Sequence, residues 1–156
     1  MKTRLIFLLL LMVSSSCGTY NKPVTDAQKE HSKEIAIRTL TETDRSWCQS
    51  VSDLEGFISF LDDEVVWYFC NFPALKGKDA VHSFYKKMFE DKTFSFTWTP
   101  ERIDVSNSGD MGYTYGTYKV ITSGSSTQQQ EIIHNFATIW RKNNTGTWKV
   151  ILEADF

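Results

Sequence analysis

The sequence predicts an α+β fold, with helices gathered first and an antiparallel sheet behind them. Apolar residues recur at helical spacing at Ile37, Leu40, Trp47, Cys48 and Val51. Runs of β-branched and aromatic residues with period-two alternation fill the second half. Short polar turns such as "SGD" and "NNTG" separate those runs. The order helix, helix, strand, helix and then four long strands, with no internal repeat, is an α+β pattern.

The first 17 residues, "MKTRLIFLLLLMVSSSC", lie outside the domain. Lys2 and Arg4 precede an apolar run from Leu5 to Val13, which is too short to span a bilayer, and small residues follow. That is a secretory signal, and Cys17 directly after the small residues is the expected lipidation site of a bacterial lipoprotein signal. Ser14 departs from the usual large aliphatic residue three places before the cysteine. The alternative is an ordinary cleaved signal that leaves a soluble periplasmic protein. Gly18 follows the cysteine where an aspartate would signal inner-membrane retention, so the expected location is the outer membrane, facing the periplasm. Residues 18–33 are polar, without apolar periodicity, and are expected to form a flexible tether. The domain is then 34–156, large enough at roughly 120 residues to bury a core without staples.

Within it the first helix is expected over about 34–50 and a short second helix over "LEGFISFL", with Asp53 as its N-cap. "EVVWYF" reads as a strand, "GKDAVHSFYKKMFED" as a third helix, and Phe94, Phe96 and Trp98 alternate along the next strand until Pro100 ends or bulges it. In "GYTYGTYKVIT", Tyr113 and Tyr115 share a face. A bulge at Gly116 would add Tyr118 to that face; without one Tyr118 points the other way.

Composition excludes several function classes. The net charge of −2 becomes −4 once Lys2 and Arg4 leave with the signal, and no basic stripe exists, so no nucleic-acid partner is expected. His31, His82 and His134 form no spaced ligand set, so no metal is expected. No phosphate-binding glycine loop, nucleophile elbow or Cys–His pair is present, and no cofactor is expected. Cys48 and Cys70 are read as two small buried apolar residues, although an oxidising compartment would permit a bridge.

Four segments, "DRSWCQSVSDLEGFISFLDDEVVWY", "LKGKDAVHSFY", "FTWTPERIDVSNSGDMGYTYGTY" and "ATIWRKNNTGTWKVILEAD", together resemble the nuclear-transport-factor-2-like superfamily, in its SnoaL-like, ketosteroid-isomerase-homologue branch. The resemblance spans nearly everything from Thr41 to Asp155. It implies a cone: a curved antiparallel sheet wrapped around the long helix, with an apolar pocket at the open end and a homodimer formed through the outer sheet face. It does not imply one activity, because the fold hosts enzymes and binders alike. The general base of ketosteroid isomerases would fall at Tyr68 or Phe69, neither a carboxylate, and their helix tyrosine falls near Arg45. Their protonated aspartate maps to His134 or near Phe136.

Two residues stand out as candidate catalysts. Asp44 sits on the apolar stripe of the first helix, so it is paired, protonated or open to a cavity. His134 gains interest from the last hairpin. If "NNTG" is a four-residue turn, His134 lies opposite Asp155 and Phe136 opposite Glu153, and carboxylates beside an imidazole orient it. His134, Phe136, Thr138, Trp140, Ile151, Glu153 and Asp155 would then share one face. The other face, with Trp148, Val150 and Leu152, is the more apolar, so either could be the core. Trp67, Tyr68, Trp98, Tyr113 and Tyr115 suit a pocket for an apolar ligand or plain sheet packing.

The sequence therefore predicts an envelope-anchored domain whose cone pocket binds a small, mostly hydrophobic molecule through Trp67, Tyr68, Trp98, Tyr113, Tyr115 and Glu153. The first alternative is a cofactor-free acid/base enzyme using Asp44 and His134, of isomerase, dehydratase or cyclase type. The second is a dimeric interaction module.

Overall fold

Thr25 fixes where the first helix begins. Its hydroxyl accepts from the Gln28 backbone N–H, and the Gln28 side chain accepts from the Thr25 N–H, a reciprocal capping box. Helix α1 (Asp26–Gln49) accordingly starts eight residues before the expected boundary, and residues 26–33 belong to it rather than to a tether. The "TDAQ" capping signature was legible, but the missing apolar periodicity concealed it. The computed structural model describes residues 25–70, 72–90, 94–123 and 129–156. The signal segment, Cys17 and the start of the tether lie outside them.

After α1 come α2 (Leu54–Ser59), β1 (Leu61–Tyr68), a two-residue β2 (Leu75–Lys76), α3 (Lys78–Glu90), β3 (Ser95–Val105), β4 (Met111–Ser123), β5 (Gln129–Lys142) and β6 (Trp148–Asp155). All six strands form one sheet in the order β2-β1-β6-β5-β4-β3. Every pair is antiparallel except β1 and β6, which run parallel, a departure from the wholly antiparallel sheet expected. β1 also starts earlier than its composition suggests. Leu61 pairs with Val150 and is buried, and a register shift before Val66 absorbs the acidic "DDE" run.

Helix α1 lies in the concave face and buries Ala36, Leu40, Asp44 and Trp47. Trp47 is the hub. Its ring lies 4.7 Å from Trp98, 5.3 Å from Phe57 and from Trp140, and 6.1 Å from Trp67, centroid to centroid. Burying a ring system of this size is worth about 4–6 kcal/mol at roughly 25 cal/mol per Å². The core therefore rests mainly on aromatic rings.

Two bulges shape the sheet. On β3, Pro100 pairs with Gly116 and Arg102 with Tyr115, so Glu101 is the extra residue. Proline is tolerated there because β3 is an edge strand. On β6, Trp140 pairs with Val150 and Ile139 with Leu152, so Ile151 is extra. The last turn is also one residue longer than "NNTG" suggested, pairing Lys142 with Trp148. The Asn143 side chain holds it by accepting from the backbone N–H groups of Thr145 and Thr147, and Gly146 supplies the positive φ.

Together these shifts bring Phe136 opposite Asp155 and Thr138 opposite Glu153, so His134 does not face Asp155. They also reconcile the two faces of the last strand. The Ile151 bulge turns Trp148 and Val150 inward below it and Glu153 inward above it, and all three are buried.

Gly116 carries no bulge itself, because β4 and β5 pair without interruption from Met111↔Arg141 to Ser123↔Gln129. Strict alternation therefore separates the tyrosines. Gly112, Thr114 and Gly116 are buried on the concave face, which Tyr118 shares. Tyr113 and Tyr115 lie on the convex face, stacked on each other at 6.2 Å, with Tyr115 exposed.

Candidate functional site

The open end of the cone holds a cavity of about 170 Å³ reached by every layer of the fold. Trp47 from α1, Trp67 from β1, Tyr85 from α3, Phe96 and Trp98 from β3 and Phe136 from β5 form most of its apolar wall. Tyr118 and Val120 enter from β4, and Thr138, Glu153 and Asp155 supply the polar end. The alternation of Phe96 and Trp98, and of Glu153 and Asp155, places each pair on the inner face.

The polar end is acidic. Glu153 is buried and accepts from the Thr138 hydroxyl at 2.5 Å. Burial pushes its carboxyl well above the usual range. The Thr138 bond opposes that rise, while the neighbouring charges of Asp155 and Asp44 add to it. Burial likewise raises Asp155 to about 7, against the lowering effect of two donors, the Tyr118 hydroxyl and the Trp67 indole N–H. Burial and the Asp155 charge push the Tyr118 hydroxyl upward in turn. The Trp67 N–H is directed at Asp155 closely enough to lower its carboxyl but falls short of full hydrogen-bond geometry. No other acceptor among the described residues reaches it, and Trp67 is only 3% exposed. A buried donor without a partner is uncommon in native proteins.

Asp44 lies apart from the cavity lining. Its two carboxylate oxygens accept from Trp98 Nε1 at 2.9 Å and Thr114 Oγ1 at 3.0 Å, and Trp140 Nε1 donates onward to Thr114 Oγ1 at 3.2 Å. Burial raises its carboxyl, and the bonds from Trp98 and Thr114 oppose that rise. The network ties α1 to β3, β4 and β5. Asp44→Ala would leave two buried donors unpaired and is expected to cost about 3 kcal/mol or more in urea denaturation. Wild-type stability in that variant would show the network to be dispensable.

His134 is half-buried and stacks on Tyr118, ring centroids 5.5 Å apart, outside the cavity lining. No hydrogen bond or ion pair among the described residues joins it to Asp44. The structure thus does not assemble the expected Asp44–His134 pair: Asp44 is held by Trp98 and Thr114, His134 stacks on Tyr118, and neither lines the cavity.

Of the expected ligand contacts, Trp67, Trp98 and Glu153 line the cavity. Tyr68 does not; it is 48% exposed on the outward side of β1, where Phe69 takes the inner place. Tyr113 and Tyr115 are on the convex face for want of a β4 bulge. Asp155, Tyr118, Tyr85 and Phe96 also line the cavity although none was among the expected ligand contacts, and the i, i+2 spacing of Asp155 from Glu153 was the available signal. Cys48 packs against Thr97 and Trp98, whereas Cys70, expected to be buried, is exposed beyond the end of β1.

A family model described as a SnoaL-like domain matches residues 48–150. Among solved structures, a ketosteroid isomerase-like protein from Erwinia carotovora is 21% identical, with 80% of this chain and 92% of that chain covered and a TM-score of 0.57. An NTF2-like protein of unknown function from Pseudomonas putida is 19% identical, with coverages of 78% and 86% and a TM-score of 0.65. An NTF2-like protein with a cystatin-like fold from Novosphingobium aromaticivorans is 14% identical, with coverages of 78% and 82% and a TM-score of 0.64. At these identities the likeness is one of fold. No curated protein matches the chain.

Proposed function

The chain belongs to the SnoaL-like domain family, and from that premise we propose that it binds a small, mostly apolar, ring-sized molecule in the cone pocket. The observation that carries this is the cavity of about 170 Å³, walled by aromatic rings and closed at one end by carboxyl groups. An apolar concavity with a few convergent polar groups is the usual form of a small-molecule site. The size suits one ring, since an apolar cavity of about 150 Å³ holds benzene.

Val120→Trp would fill the cavity from β4. Toluene and benzyl alcohol are expected to raise the melting temperature of the wild-type protein and to leave the variant unmoved, since a ligand at about 100 times its Kd adds about 2.7 kcal/mol. An unmoved wild-type melting curve with both probes would end this reading.

A second reading, cofactor-free acid/base turnover, is favoured by Asp155. A carboxyl that titrates near 7 beside Tyr118 and Glu153 suits proton transfer at neutral pH. On that reading the chemistry belongs to Asp155, with Glu153 beside it, instead of Asp44 and His134. Any turnover would follow the ionisation of Asp155 and vanish in Asp155→Asn. Activity persisting in that variant would exclude this reading.

A further inference from the structure

We propose that the cone pocket takes a small organic cation, a protonated or quaternary amine carried on one apolar ring, with its charged head between Glu153 and Asp155. The inference rests on the pocket-binding reading above and adds the charge of the ligand to it.

The first ground is the charge inventory of the site. Among the described residues, the cavity lining contains two carboxyl groups and no lysine, arginine or histidine. Two strand cations pair away from the cavity, Lys119 with Glu131 and Arg141 with Asp62. Buried carboxylates are rarely left without a cationic partner. Asp44, the third interior acid, is satisfied by Trp98 and Thr114, but Glu153 accepts one bond and, among the described residues, no lysine or arginine acts on Asp155.

The second ground is a buried, weakly satisfied donor. Trp67 Nε1 is buried, lines the cavity and is directed at Asp155 without reaching full hydrogen-bond geometry. A cation at the floor would hold Asp155 in its charged form. The contacts that Trp67 and Tyr118 already direct at Asp155 would then meet a full carboxylate and strengthen. The third ground is the wall, where Trp47, Trp98, Phe96 and Tyr85 offer π-systems, the surface that attracts an ammonium group once water is excluded.

The affinity should depend on pH through Asp155. The groups facing it are Tyr118 from β4, Glu153 on its own strand, Tyr85 from α3 and Trp67 from β1, while Asp44 from α1 acts through Glu153. Phe136 opposite it on β5 carries no charge, His134 stacks behind Tyr118, and Cys70 beyond β1 acts on Tyr118. The cationic ligand favours the carboxylate form.

The test is calorimetric titration of the full chain with benzylamine, benzyl alcohol and benzoate at pH 6 and pH 8. Benzylamine is expected to bind at least tenfold more tightly than benzyl alcohol at pH 8. Its affinity should fall about tenfold at pH 6, while that of the alcohol stays constant. Asp155→Asn should lose the preference for the amine and keep the alcohol. Equal affinity for amine and alcohol would overturn the cation and leave the pocket reading standing. Tighter binding of benzoate would overturn it as well. No binding by any of the three would remove the pocket reading and this inference together.

Discussion

Gly116→Val is expected to leave the protein unfolded, and Gly116→Ala to cost it about 3 kcal/mol or more. A Cβ at this position would stand 2.2 Å from the Thr99 carbonyl oxygen, 2.8 Å from the Glu101 nitrogen and 3.0 Å from the Pro100 Cα. All three are backbone atoms of the β3 bulge, so no side-chain rotation relieves the contact. Either the bulge flattens or β3 leaves β4. Overpacking a well-packed site typically costs about 1–3 kcal/mol, and a clash with fixed backbone belongs at or above the top of that range. Measured against a total stability of about 5–15 kcal/mol, valine exceeds what the domain can lose.

Gly146→Ala is the control. Its Cβ meets nothing within 4 Å, and only its positive φ of 80° resists substitution, at a cost of about 1 kcal/mol. Urea denaturation of both alanine variants separates the two causes. A Gly116→Ala protein as stable as Gly146→Ala would mean that the bulge does not press on β4.

The second large effect is on pH. Stability is expected to decline from about pH 4 to pH 8, with Asp155 as the main contributor near neutrality. Its carboxyl titrates at about 7 in the folded protein against an ordinary value of 3.8. Between those values the folded state binds more protons than the unfolded state, so unfolding becomes easier as pH rises. The penalty is absent below about pH 4 and complete above about pH 7, where it reaches about 4 kcal/mol at most. Glu153 and Asp44, also raised by burial, act in the same direction. Asp104 and Asp110 act in the opposite one, held below the ordinary value by hydrogen bonds, so what they add is lost only in stronger acid. Melting curves at pH 5, 6, 7 and 8 should show the wild-type midpoint falling and Asp155→Asn nearly level between pH 6 and pH 8. An unchanged slope in the variant would locate the titration elsewhere.

The fold was legible because it depends on periodicity summed over long segments. The Ile37–Val51 stripe and the Phe94–Trp98 alternation each identified their element, and the spacing of four segments identified the cone. The site was less legible because it depends on register. Two insertions of one residue each, at the last turn and at Ile151, moved Asp155 from His134 to Phe136. Parity survived that double shift, so Glu153 and Asp155 were correctly placed on one face. On β4 the bulge lay in the partner strand instead, and a glycine that accommodates a neighbour's bulge looks in sequence like one that forms its own. Asp44 was rightly singled out as a buried acid, but its partners, Trp98 and Thr114, are 54 and 70 residues away in the chain. Local spacing holds no record of such pairs.

The cluster around Trp47 makes the protein its own optical instrument. All five tryptophans are at most 9% exposed, and four of their rings lie within about 6 Å of the Trp47 ring or form it. Excitation absorbed by one indole will pass among its neighbours, so the emission and the near-ultraviolet circular dichroism report the interior as a coupled whole. Because Trp67 and Trp98 also border the cavity, an occupant that carries no chromophore would still disturb that shared signal.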